Sequence, residues 1–145
     1  MSTRISDEMS NAPASLELGI IALDCPDPIA LAGFYSALTG LDIEPLGDFD
    51  PADVDWLELL DDGRGVLAFQ KIDAYVAPTW PEGPVPQQLH LDFYVSDLDE
   101  GEAHAMRVGA AKAAYQPGET FRVYLDPVGH PFCLVLKSEQ LDEEE

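Results

Sequence analysis

A chain of 145 residues, 46% of them apolar, is long enough for one domain around a single buried core and too apolar to remain unfolded. Its 28 carboxylates oppose only seven lysines and arginines, giving a net charge of −21 that repels nucleic-acid phosphates and anionic membranes alike. That balance leaves two readings, plain solubility or attraction of a cationic ligand.

No apolar run approaches the length of a membrane span. The opening segment MSTRISDEMSNAPAS carries no apolar signal core, so the expected location is the cytoplasm. Cys25 and Cys133 form neither a CxxC pair nor a zinc spacing and are expected to be reduced.

In chain order, residues 1–14 read as a disordered leader. Residues 15–137 read as one domain, and 138–145, SEQLDEEE, as a solvated acidic tail. Module one covers 16–72. It opens with a β-like stretch, Leu16 to Leu23, that ends at the turn DCPDP. Ile29 to Thr39 follows with Leu31, Phe34, Tyr35 and Leu38 at helical spacing. Asp27 and Pro28 are placed to start that helix and Gly40 to stop it. Strands are expected at Leu41–Leu46, Trp56–Leu60 and Gly65–Lys71, the last two joined by the hairpin signal Asp62-Gly63.

Residues 73–87 form a linker in which Pro78, Pro81, Pro84 and Pro86 exclude a helix or a central strand. Module two, 88–137, repeats the order. It has a strand at Leu89–Val95, a helix capped by Ser96 or Asp97 and stopped by Gly109, and strands near Lys112–Tyr115, Thr120–Leu125 and Phe132–Lys137. Asp27 precedes Gly40 by 13 residues and Asp97 precedes Gly109 by 12. The fold class this implies is α+β: two βαβββ modules whose paired mixed sheets enclose a cleft for a ligand. Whether modules pair within one chain or swap between chains is open at this stage.

The segments LDCPDPIALAGFYSALTGL and DPVGHPFCLVL, in this order and spacing, resemble the vicinal-oxygen-chelate superfamily of glyoxalases, bleomycin-resistance proteins and extradiol dioxygenases. PTWPEG followed by QQLHLDFYVSDLD resembles its glyoxalase-like domain subgroup. The resemblance covers about residues 16–137. It implies four metal-ligand positions, on the first and last strand of each module. Seven residues before each helix-starting aspartate these are Ile20 and His90. On the last strands they fall at or near Gln70 and at Cys133, where metal-binding relatives usually carry glutamate.

Isoleucine has no lone pair and glutamine is a weak neutral ligand, so no metal cofactor is expected. If a divalent ion binds, His90, Gln70 and Cys133 are its ligands. Asp92, two residues along from His90, shares its face and can orient the imidazole. His90 is then either a ligand-binding group or a histidine satisfied by Asp92 or Gln70. Trp80 is read as an anchor for the linker, with an aromatic lid as the sharper alternative. Trp56 and Glu58 alternate on one face, and Tyr94 continues the His90 face. Cys133 is read as an inert core thiol, His130 as structural or solvent-exposed, and His104 as lying on a solvated helix face.

Three functions compete. One is metal-free binding of a small, cationic molecule in the cleft, as in sequestration or resistance. The second is a lyase, isomerase or dioxygenase-like enzyme with an altered metal site. The third is a domain used only for assembly. The missing ligands favour the first over the second, and nothing in the sequence separates the first from the third; a homodimer is the expected partner state.

Overall fold

The computed structural model describes residues 15–137; the expected leader and acidic tail lie outside the described residues. The first module runs β1 (Ile21–Cys25), α1 (Pro28–Thr39), β2 (Asp42–Ile43), a 3₁₀ turn (Pro51–Asp53), β3 (Trp56–Asp61) and β4 (Arg64–Lys71). The second runs β5 (Leu91–Val95), α2 (Leu98–Val108), β6 (Ala111–Lys112), β7 (Phe121–Leu125) and β8 (Pro131–Leu136). Each builds a four-stranded mixed sheet, in the orders β1-β4-β3-β2 and β5-β8-β7-β6, with the first strand parallel to the last. The two sheets are equivalent in order and direction, as the internal repeat requires.

The local devices are those the sequence carries. The Asp27 carboxylate accepts from the Ile29 and Ala30 amides at 3.1 and 3.3 Å, satisfying free donors of the first turn of α1. Gly40 ends the helix at φ 81°, where a side chain is disfavoured, and its amide donates to Ser36 O at 2.8 Å. Asp97 caps α2 by accepting from the Glu100 amide at 2.9 Å, which decides between the two cap candidates. Asp62 and Gly63, at φ 54° and 80°, form the two left-handed positions that a tight β3–β4 hairpin needs.

Strand ends differ from expectation. Leu16 to Ile20 lie outside β1, and the expected Leu41–Leu46 strand shrinks to two residues. Apolar composition marked both stretches, but only residues that find a ladder partner become strand. His104 also departs from its expected solvated face. Its Nε2 lies 3.1 and 3.0 Å from the carbonyls of Ala37 and Leu38, so it closes the last turn of α1 from the other module.

One core spans both modules. Leu57, Leu59, Leu67 and Phe69 of the first sheet and Phe132 and Leu134 of the second belong to the same buried cluster as Leu31 and Tyr35 of α1. Tyr35 is fully buried. Its ring stacks on Phe69 at 5.6 Å and lies 6.3 and 6.2 Å from Phe93 and Phe132. The faces that meet across the chain are therefore the helix-bearing ones. Within one chain, then, the bare faces do not close on each other. A helix apolar on several sides, as α1 is, fills the gap between the two sheets. The bare faces stay open, and the linker lies against the second.

Candidate functional site

Alternation along β5 and the residue before it turns Leu91 and Phe93 into the core and His90, Asp92 and Tyr94 onto the bare face. Asp92 lies opposite Cys133 in the parallel β5–β8 register. His90, Asp92 and Cys133 come together there, with one donor atom from each within 4.8 Å of the others. His90 Nε2 is 3.2 Å from Asp92 Oδ1, and both side chains are about half exposed. A neutral His90 then donates from Nε2 and keeps Nδ1 as an acceptor. Burial, and then the Asp92 carboxylate beside it, push the Cys133 thiol up to about 11. At neutral pH it is a protonated, weakly nucleophilic group, which agrees with the reading of an inert thiol.

The linker completes the surroundings. Trp80 packs with Phe121 and Val135 around Ala113, Val123 and Cys133, and its ring lies 5.9 Å from Tyr115. The loop carrying it is pinned by Thr79, whose amide donates to Val85 O at 2.6 Å and whose Oγ1 accepts from the Val85 amide at 3.1 Å. Trp80 is thus an anchor, and it also walls a cavity of about 330 Å³ that contains His90, Asp92 and Cys133. A second cavity, about 380 Å³, lies under the linker between β1 and β5, with Ala22, Asp24, Tyr75, His90 and His130 among its lining. Gln87, His90 and Pro131 line both.

Beneath the second cavity, Asp126 is buried and accepts from Tyr35 Oη at 2.7 Å and from the Val128 and His130 amides at 2.9 and 3.0 Å. His130 Nε2 sits 2.7 Å from Asp24 O, and Tyr75 Oη donates to Val128 O at 2.8 Å. Burial, reinforced by the Asp126 carboxylate, drives Tyr35 strongly upward and Tyr75 up to about 12. These hydroxyls are hydrogen-bond donors that hold the module junction together, and His130 is structural.

The remaining expected residues lie elsewhere. Gln70 lines a separate depression with Asp55, Lys71 and Asp73. Trp56 is paired with Gln70 across β3–β4 and donates from Nε1 to Glu58 Oε2 at 2.9 Å, on the bare face of the first sheet. Ile20 and Tyr94 line neither large cavity, and Tyr94 is 69% exposed. The pairing of Gln70 with Cys133 as equivalent positions is also corrected by register. Ala22 lies opposite Ala68 and Asp92 opposite Cys133, each first-strand residue five places before its helix cap. Cys133 thus corresponds to Ala68, and Gln70 to Val135.

A metal site on the four family positions does not fit these residues. Ile20 offers no lone pair, and the first-sheet position that register equates with Cys133 is Ala68, which offers none either. The trio His90, Asp92 and Cys133 is the compact donor set among the described residues, and it would suit a soft ion only after losing the thiol proton.

Sequence reasoning missed Gln87 and Asp24. A glutamine ahead of a strand carries no periodic signal, and Asp24 gains its place only through the fold.

The glyoxalase-like domain family model matches residues 20–135. No curated protein matches. Among solved structures, a glyoxalase/bleomycin resistance protein/dioxygenase family enzyme from Burkholderia phytofirmans PsJN is similar at 21% identity and TM-score 0.59, covering 83% of this chain and 98% of that one. The fosfomycin resistance protein FosX from Listeria monocytogenes is similar at 16% identity and TM-score 0.59, covering 88% and 98%. A glyoxalase-related enzyme from Fulvimarina pelagi aligns at 20% identity and TM-score 0.57, covering 86% and 90%. With the family model spanning nearly all of the described fold, this chain belongs to the glyoxalase-like domain family of the vicinal-oxygen-chelate superfamily.

Proposed function

We propose that the protein binds a small molecule on the bare face of its second sheet without a metal ion, as a sequestering or resistance-type protein. The carrying observation is that His90, Asp92 and Cys133 converge in one mostly apolar cavity, which a second cavity adjoins at His90, Gln87 and Pro131. Few polar groups among apolar walls is the usual composition of a specific ligand site. His90 Nδ1 and the Asp92 carboxylate supply acceptors, while Trp80 and Phe121 supply apolar area. A metal-dependent lyase, isomerase or dioxygenase reaction would need an ion with an open position. The family ligand set that would hold one is broken here at Ile20 and, by register, at Ala68.

In this reading the protein works as a homodimer. Trp56 and Tyr94, 41% and 69% exposed, lie on the bare faces of the two sheets. A second copy placing its first sheet over the second sheet of this one would close the site on the open side.

Fragment screening of metal-free protein, mapped by backbone amide shifts, tests the reading. Binders should shift residues around His90 and Trp80, and EDTA should leave their affinity unchanged. His90→Ala should weaken them by about 0.5–1.5 kcal/mol, the net worth of one hydrogen bond at a half-exposed site. Binding that disappears with EDTA and returns with one added metal would instead establish the metal-dependent enzyme.

A further inference from the structure

We propose that the cavity under the linker is a second compartment of this site and receives a protonated amine. The proposal rests on the small-molecule reading above and adds a chemical class to it.

Among the described residues, Gln87 Oε1 is buried and has no hydrogen-bond partner. Gln87 lines both cavities, so the side chain that carries this oxygen lies where they adjoin. Buried polar atoms are almost always paired, and a carbonyl oxygen can only accept. The group that completes it must therefore donate.

The charges around it select the kind of donor. No lysine or arginine lines either cavity, whereas Asp24 lines one and Asp92 the other. Three of the other polar groups nearby are already engaged. His90 Nε2 faces Asp92, Tyr75 Oη donates to Val128 O, and His130 Nε2 faces Asp24 O. A carboxylate or phosphonate entering here would meet like charge with no cation to offset it. An ammonium would meet a free amide oxygen, with a carboxylate in either cavity. Most of the remaining wall is apolar, with Val85, Leu89 and Leu91 on one side and Trp80, Phe121 and Val123 on the other. The fitting ligand therefore joins a primary ammonium to a ring or short hydrocarbon.

The test is a set of amide-shift titrations of the full chain with benzylammonium, benzyl alcohol and benzoate. Benzylammonium should bind about tenfold or more tighter than benzoate, benzyl alcohol should fall between, and the shifts should centre on Gln87, His90 and Trp80. Gln87→Leu should weaken benzylammonium about three- to tenfold. Gln87→Glu, which keeps the acceptor and adds charge, should tighten it. Thermal unfolding of both variants shows whether each is folded, and the second variant decides the matter if the first is not. Equal binding of all three probes at these residues, or Gln87→Glu without effect on benzylammonium, would overturn the amine assignment while leaving the small-molecule site standing. No shift at these residues with any probe would overturn both.

Discussion

Cys133 illustrates how a single residue changes meaning once its surroundings are known. In sequence it occupies a position where relatives place a carboxylate ligand, yet here it faces Asp92 with only 7% of its surface exposed. With the thiol pushed up to about 11, roughly one molecule in ten thousand carries the thiolate at pH 7. Alkylation of Cys133 by iodoacetamide should therefore be slow and rise about tenfold per pH unit between pH 7 and 10. Asp92→Asn removes the neighbouring charge, so it should lower the thiol's value and speed the reaction at pH 8. Cys25 is also held at about 11, but by burial and by Asp27 and Asp24, so it serves as an internal reference in the same peptide map. A rate for Cys133 that is flat with pH, or unmoved by Asp92→Asn, would contradict this account. A thiol raised in the folded state contributes fully below its ordinary value of 9.0, and that contribution is lost as pH rises through about 11.

At the level of elements, helix α1 gives the sharpest contrast. Gly33 lies in its interior on an exposed face, with nothing within 4 Å of an added Cβ, whereas Gly40 sits at φ 81°. Gly33→Ala should stabilise by about 0.5–1 kcal/mol through helix propensity. Gly40→Ala should cost about 1 kcal/mol or more, because alanine strains in the left-handed region. Urea unfolding of the pair checks both, and equal effects of the same sign would refute the assignment of the helix end. Caps, stops and the Asp62-Gly63 turn were legible in the sequence because each is a local device with its own residue chemistry. The bare-face positions of His90 and Asp92 followed from alternation alone. What the sequence could not convey was non-local. Register moved Gln70 away from the position of Cys133, and α1, lying between the sheets, turned the helix-bearing faces inward. The same tertiary packing took His104 from an expected solvated face to the end of α1, and brought Gln87 between two cavities.

For the whole molecule, charge and the open faces pull in opposite directions. The linker lies against the bare face of the second sheet, and in the proposed dimer a second copy covers what it leaves open. Two chains of net charge −21 repel each other, so association should strengthen as salt screens that repulsion. Sedimentation velocity should show a species of twice 15.8 kDa at micromolar concentration, more populated in about 0.5 M salt than in dilute buffer. A 15.8 kDa species alone under both conditions would argue against the shared site. The central claim is that the His90–Asp92–Cys133 site works without an ion, and elemental analysis of the purified protein tests it most directly. The account predicts that zinc, nickel, manganese, iron and copper all stay well below one equivalent per chain, in wild type and His90→Ala alike. One equivalent of any of them in wild type, lost in His90→Ala, would contradict it.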